Sequence, residues 1–322
     1  MPLSVDPDFQ TAWGPIASAM ASVPKVAVHD VATKRARFDA AMPAFVSLIP
    51  DSPDVETAVF QVDSYDGAKI SVHGFTKKSV DALSPGPAIL HVHGGGMIVG
   101  SVGSFERTLA IEVQQTGIPL YSVEYRLAPE AKDTSLVQDC YAALVWLGQN
   151  AKQLNIDPTR IAILGESAGG GIAAGVALMA RDQNLQPPLA KQILTYPMLD
   201  DRNLTPNPAL AQLASWTYDD NITGWTALLG EKAGNLNADV SYYAAPARAK
   251  SLAGLPPTFI YVGELDIFRD EDIAYAQRLA AENISVEFHL FPGVPHAFEL
   301  YCPDTRTAKT ALELRRRALQ SF

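Results

Sequence analysis

Gly165-Glu166-Ser167-Ala168-Gly169-Gly170 decides how the rest of the chain is read. It follows an apolar strand-like run, Ile161 to Leu164, and opens a stretch of small residues with helical character that begins near Ser167. The pattern G-x-S-x-G between strand and helix describes a nucleophile turn: the serine sits in a strained backbone conformation, and glycine on either side lets strand and helix approach without a Cβ clash. Such a turn projects the Ser167 hydroxyl from the sheet edge. At a helix start it also aims the Ala168 N–H at an oxygen that becomes negative during attack. Glycine-rich strand-to-helix turns also exist without chemistry, so the reading depends on what the flanking sequence supplies.

Upstream, Pro87 to Val92 is a continuous apolar run, the pattern of a strand buried on both faces, and it ends in His93-Gly94-Gly95-Gly96. Successive glycines after a strand bring backbone N–H groups close to a ligand, as an oxyanion hole requires. His93 is expected to hold this loop by hydrogen bonds while the glycine amides act as donors. Earlier still, Val55 to Val62 and Lys69 to Phe75 alternate as an antiparallel pair around the turn Tyr65-Asp66-Gly67. Phe105, Leu109 and Val113 mark a helix, Pro119 to Val123 a strand, and Tyr125 to Glu130 the loop after it. Val137, Tyr141, Leu144 and Val145 form the stripe of another helix, which puts Cys140 on or beside a buried face. Asn155 to Thr159 reads as the turn into the nucleophile strand. Residues 1–50 are helix-like but irregular, with Trp13, Ile16, Met20 and Val23 on one face, then Phe38, Met42 and Phe45, and with Pro24 and Pro43 as interruptions.

Downstream, Gln192 to Tyr196 is a further strand, after which the alternation stops. Residues 203–245 carry Trp216, Tyr218 and Trp225 without a clear strand, and an insertion this long at the outlet of a sheet suits function. We assign it, with residues 1–50, to a helical cap. Its aromatics fit the core of that layer or contact with substrate equally well. Pro257 to Val262 resumes the sheet and leads to Glu264-Leu265-Asp266, at the active edge of an open α/β sheet. A helix through Ile273, Ala276 and Leu279 precedes the strand Val286 to Phe291, His296 lies in the loop after that strand, and a final amphipathic helix runs through Leu312 and Leu319. Asp266 is preferred to Glu264, Asp270 and Glu271 because it follows its strand closely, whereas Asp270 and Glu271 are placed to start the next helix and meet its dipole. The order Ser167, Asp266, His296 is that of α/β-hydrolase triads. His29, His73, His91 and His289 lie in helical or strand-like runs and read as structural.

Composition bounds the alternatives. With 322 residues and 48% hydrophobic content, the chain can bury a large α/β core. A formal net charge of −10 argues against a nucleic-acid partner. The one basic cluster, Arg315-Arg316-Arg317, reads as cations near a helix C-terminus that complement its dipole. Two cysteines, Cys140 and Cys302, offer neither metal spacing nor a disulfide framework, which suits a reducing, cytoplasmic setting. The sequence shows no signal peptide and no membrane span.

His93-Gly94-Gly95-Gly96, Tyr125 to Glu130, Gly165 to Gly170, the stretch Asp266-Ile267-Phe268-Arg269-Asp270-Glu271 and His296-Ala297-Phe298 together resemble the hormone-sensitive-lipase-like, or family IV, esterases. The resemblance covers roughly residues 85–300 and rests on five motifs in the family's order. It implies an α/β-hydrolase fold, with a mostly parallel central sheet flanked by helices. The core would comprise residues 51–202 and 246–322, and the helical cap residues 1–50 and 203–245. It implies Ser167 as nucleophile, His296 as base, Asp266 as the acid that orients it, and the amides of Gly95, Gly96 and Ala168 as the oxyanion hole. His93, Gly94 and Glu166 would support them. Glu166 stands where many members carry aspartate, and Ile267 where proline commonly follows the acid. The implied activity is hydrolysis of small to medium, fairly apolar esters, with no metal and no cofactor. Kinship with this family is compatible with a homodimer. The motifs specify acyl transfer and not the leaving group, so an amidase or lactonase remains open. A receptor on this fold, like the plant gibberellin receptors that lack the triad histidine, is disfavoured by His296.

Overall fold

The computed structural model describes residues 3–78 and 84–322. Two helices come first, α1 (Pro7–Ala21) and α2 (Val31–Ser47). The Asp30 carboxylate caps α2 by accepting from the Thr33 N–H. Pro43 lies inside α2 and does not end it, contrary to the interruption read from sequence. His29 precedes α2 in a left-handed turn (φ 70°), not in a helical run.

The sheet then builds from β1 (Val55–Asp63), β2 (Lys69–Lys77), β3 (Gly86–Val92), α3 (Val102–Thr116), β4 (Leu120–Glu124), α4 (Ser135–Gln149), β5 (Ile156–Glu166), α5 (Ala168–Asp182) and β6 (Lys191–Thr195). After β6 the chain forms the short α6 (Pro208–Ala211) and α7 (Tyr218–Leu229). It returns as β7 (Thr258–Gly263), α8 (Arg269–Ala281), β8 (Val286–Phe291), α9 (Phe298–Tyr301) and α10 (Arg306–Leu319). The eight strands lie in the order β1-β2-β4-β3-β5-β6-β7-β8. Among the described residues only the β1/β2 and β2/β4 pairs are antiparallel, so the sheet is mostly parallel.

Both faces of the central strands are covered, which is why they read as unbroken apolar runs and not as alternation. Leu90 and Ile163 point to the side packed by α4, α5 and α8, whereas Ile89, Leu164, Ile193 and Phe259 point to the side packed by α3 and α10. Every residue of α5 from Ala168 to Ala180 is buried, and its glycines and alanines let it lie close to the sheet. Cys140 is fully buried on α4.

Three local readings are corrected. Strand β5 begins at Ile156 and not after Thr159, because Ile156 already pairs with Gly86 across a register shift. Ile273 is turned outward on α8, where Asp272, Tyr275, Ala276 and Leu279 are buried instead. Arg316 and Arg317 do lie in the last turn of α10, but Arg315 points inward and its guanidinium donates to Glu112. Among the described residues no helix is long and apolar enough to cross a membrane.

Candidate active site

The parallel strands end on one side of the sheet, and the exits of β3, β5, β7 and β8 gather the motif residues there. At the end of β5 Ser167 has φ 56° and ψ −123°, outside the regions that a side chain favours. The turn is held by its neighbours: Ser167 N–H donates to Thr195 O (2.9 Å), and Ser167 O accepts from Met198 N–H (2.9 Å) and Gly171 N–H (3.1 Å). The glycines are a matter of space. A Cβ on Gly165 would overlap the Gly169 carbonyl, and one on Gly169 would overlap the Val92 carbonyl at the exit of β3.

His296 Nε2 lies 2.8 Å from Ser167 Oγ, and its Nδ1 lies 2.7 Å from Asp266 Oδ2. The other oxygen, Oδ1, accepts from the Phe268 N–H (2.9 Å), which fixes the carboxylate's rotation. A carboxylate oxygen facing Nδ1 accepts that N–H and leaves Nε2 as the acceptor for the serine hydroxyl. The imidazole is wedged between aromatic rings, with the Tyr196 centroid 4.6 Å away and the Phe268 centroid 5.2 Å away, both edge-on. Ser215 Oγ donates to the His296 carbonyl (2.7 Å) and so ties the inserted segment to the histidine loop.

Of the other acids at this outlet, Glu264 accepts from the Gly293 N–H (3.0 Å), and Asp270 pairs on the surface with Arg269. Glu271 departs from the dipole role read for it. It turns inward and accepts from the Leu199 N–H (2.7 Å), the Asp200 N–H (3.1 Å) and Asn203 Nδ2 (2.7 Å), and burial pushes its carboxyl well above the usual range. Phe268, not an acidic residue, is the N-cap of α8, and it makes no side-chain cap bond.

The glycine loop after β3 is oriented by its carbonyls. His93 Nδ1–H donates to Gly94 O (2.8 Å), and because N–H and C=O point opposite ways in a trans peptide, the Gly95 N–H is directed away from His93. Gly95 O accepts from the N–H groups of Ile98 (3.1 Å) and Val99 (3.0 Å), which turns the Gly96 N–H outward by the same logic. Gly95 has φ 127°, and a Cβ there would overlap the Val99 carbonyl. Among the described residues the N–H groups of Gly95, Gly96 and Ala168 have no protein acceptor. His93 stacks on Tyr125 (centroids 4.2 Å apart), and the Tyr125 hydroxyl donates to His93 O (2.8 Å). Burial pulls the His93 imidazole down to about 4, so the ring is neutral at neutral pH and works as a strut.

Beneath the serine, Glu166 Oε2 meets His91 Nε2 at 2.7 Å, and His91 Nδ1 meets Ser122 Oγ at 2.8 Å. Arg315 comes from α10 to within 3.7 Å of Glu166 Oε1 while donating to Glu112 (2.6 Å). Burial alone would raise the Glu166 carboxyl, but the His91 ring and then the Arg315 guanidinium outweigh it and leave the group below its ordinary value. Sequence reading missed Arg315 in this role because its partners are far away along the chain. It also left the aromatics of the inserted segment unassigned. Trp216 lies with its ring against Gly96, where a Cβ would overlap it, and its centroid is 6.4 Å from that of His296. Gly224 of α7 backs the same loop, since a Cβ there would lie 2.6 Å from Gly96 O. The available signal for α7 was Thr217-x-x-Asp220, which forms a capping box.

One buried acid near the site has no partner. Both carboxylate oxygens of Asp272 are buried without a hydrogen bond among the described residues, and burial, then Glu271 and Asp266, push the group well above the usual carboxylate range. A carboxyl raised in the folded state contributes most below its unfolded pKa of about 3.9 and loses that contribution as pH rises, at about 1.4 kcal/mol per pH unit. Asp272→Asn removes the ionisation. Urea unfolding at pH 5 and pH 8 is therefore expected to show the stability difference between variant and parent moving in the variant's favour at the higher pH. A difference independent of pH would refute the assignment.

Comparison with known proteins agrees with this architecture. A family model described as the alpha/beta hydrolase fold matches residues 89–300. Esterase LipI of Mycobacterium tuberculosis is 36% identical over 217 residues, 67% of this chain and 66% of that protein. Carboxylesterase NlhH of the same species is 35% identical over 222 residues, 66% of each. The chain thus aligns with just under two thirds of the length of these two relatives. Among solved structures, a bacterial heroin esterase superposes with a TM-score of 0.88 at 36% identity, covering 98% of this chain and 97% of that one.

Proposed function

From the premise that this chain belongs to the α/β-hydrolase family, in its hormone-sensitive-lipase-like esterase branch, we propose that it is a carboxylic ester hydrolase acting through Ser167, His296 and Asp266. The observation that carries the reading is the hydrogen-bonded line from Asp266 through His296 to a strained Ser167. Among the described residues the N–H groups of Gly95, Gly96 and Ala168, in the turns that follow β3 and β5, have no acceptor.

A serine hydroxyl is a poor nucleophile until a base takes its proton, and His296 Nε2 is within reach to do so. Ser167 Oγ adds to the ester carbonyl. The negative oxygen is received by the N–H groups of Gly95, Gly96 and Ala168, and Asp266 stabilises the imidazolium that forms. His296 then gives its proton to the leaving alcohol. Water, activated by the same imidazole, attacks the acyl-enzyme and restores Ser167. In this scheme each step draws on side chains and backbone groups of the chain itself and calls on no cofactor.

The chemistry predicts a pre-steady-state burst of p-nitrophenol from a p-nitrophenyl ester, stoichiometric with enzyme, when deacylation is the slower step. Absence of turnover of any such ester by folded protein would overturn the proposal. Residues 1–50 and 203–245 serve in this reading as a helical cap over small to medium acyl esters. Trp216, lying on Gly96, bounds the space beside the reacting carbonyl. Trp216→Ala is expected to raise kcat/KM for longer acyl chains relative to acetate by roughly tenfold, the scale of one or two methylenes in an apolar pocket. A p-nitrophenyl ester series graded by acyl length measures it. An unchanged ratio would remove Trp216 from the pocket wall.

A further inference from the structure

We propose that Arg35, on the N-terminal helix α2, is a positioning residue for the oxyanion loop. The inference rests on reading the Gly95 and Gly96 amides as oxyanion donors. Arg35 spends its whole guanidinium on one small region: Nε donates to Ile98 O (2.7 Å), Nη2 to Ala128 O (2.7 Å), and Nη1 and Nη2 to the two oxygens of Glu130 (2.7 and 2.8 Å). These partners lie 63 to 95 residues away in sequence. They belong to the two loops that meet behind the glycines, and those loops are themselves joined by the Ala128 N–H donating to Met97 O (2.9 Å).

The path to the donors is short. Arg35 fixes the Ile98 carbonyl, the Ile98 N–H holds the Gly95 carbonyl, and that carbonyl dictates where the Gly96 N–H points. His93 controls only the other peptide of the pair, through the Gly94 carbonyl. Met97, between Gly96 and Ile98, is in the left-handed region (φ 68°), so this stretch depends on outside contacts to keep its shape. A guanidinium meets two carbonyls and a bidentate carboxylate at once because it is planar and carries its donors in a rigid fork. A lysine ammonium at the same place cannot span them. The arrangement gives α2 a part in catalysis without contact with substrate. It also explains why a helix with no buried residue of its own is pinned to the core at this point.

The consequence is specific. Removing one oxyanion donor costs about 10²- to 10³-fold in kcat, and losing the support that aims one of them is expected to cost on the order of 10- to 100-fold. The loss should fall on kcat and leave KM nearly unchanged, because the donors matter most after charge has developed. Arg35→Ala and Arg35→Lys are compared with the parent on a p-nitrophenyl ester, with active sites counted by a small organophosphate. The affinity of an alkyl trifluoromethyl ketone, whose serine adduct places an oxyanion in the hole, is measured alongside. Both variants are expected to lose kcat and ketone affinity in parallel, at parental KM. Should the alanine variant not fold, the lysine variant and Glu130→Gln carry the test, with the glutamine expected to lose less because the bonds to Ile98 O and Ala128 O remain. Parental kcat and ketone affinity in the folded Arg35 variants, whatever happens to thermal stability, would overturn the inference. So would a loss of kcat with unchanged ketone affinity. If the parent itself neither turns over the ester nor binds the ketone, the esterase reading fails, and not the role of Arg35 alone.

Discussion

Ser167→Ala is expected to lose esterase activity by about 10⁴-fold or more while folding like the parent, because the covalent step disappears and only binding and oxyanion contacts remain. Folding should survive because the turn is held by backbone bonds that alanine keeps, from Ser167 N–H to Thr195 O and from Met198 and Gly171 N–H to Ser167 O. The φ of 56° is as awkward for alanine as for serine, so the substitution adds no new strain. What is lost is one hydrogen bond to His296, about 1 kcal/mol of stability at most once solvation is counted. Steady-state rates on a short-chain p-nitrophenyl ester, circular dichroism and failure of an organophosphate to label the variant together make the test. A folded variant with activity near the parent's would dismiss Ser167 as the nucleophile.

The parts of this fold that were legible in the sequence are those where local pattern and tertiary environment agree. Strands β3 and β7 are legible to within a residue, since runs such as Pro87 to Val92 are apolar because both faces are covered, while the edge strand β8, legible at its observed bounds, alternates Val286, Phe288 and Leu290 with Glu287 and His289. The first turns of β5 were not legible. Asp157-Pro158-Thr159-Arg160 shows neither an apolar run nor alternation, and only its pairing beside β3 makes it strand. Helix α7 is hard to read because its buried face mixes Tyr218, Trp225 and Leu228 with Asn221, Thr223 and Gly224, which dilutes the apolar stripe, and the capping box at Thr217 marks only its start.

The site divides the same way. Glycine spacing and chain order put Ser167, Asp266 and His296 at strand exits, and the structure brings their side chains within hydrogen-bonding distance of one another. His93 was legible as a brace of the glycine loop, but charged residues that brace the surrounding structure from far along the chain were not. Arg315 stands in a basic run that reads as complementing a helix dipole, yet its partner Glu112 lies 203 residues earlier. Glu271 looked like a helix-start acid, yet it turns in to hold the backbone of Leu199 and Asp200. Arg35 carried no motif at all. A charge paired across the fold leaves no periodicity, because nothing in its neighbourhood along the chain records the partner.

Asp266→Asn is expected to lower kcat by about 10²- to 10⁴-fold with little change in KM. Asparagine matches the size of aspartate and can still accept from the Phe268 N–H through its carbonyl oxygen, so the loop should keep its shape. That choice, however, turns the amide NH₂ toward His296 Nδ1, where the parent presents an acceptor at 2.7 Å. The ring then favours the tautomer with the proton on Nε2, which cannot take the serine proton, and the imidazolium of the transition state loses its counter-charge. Asp270 is the control. Its carboxylate is mostly exposed and pairs with Arg269, a surface contact worth at most about 1 kcal/mol, so Asp270→Asn should leave kcat within about twofold of the parent. Measuring kcat, KM and thermal midpoint for both variants separates the two acids. A catalytic collapse in the Asp270 variant, with Asp266→Asn near parental, would reverse the assignment. The His296–Asp266 hydrogen bond would then be structural.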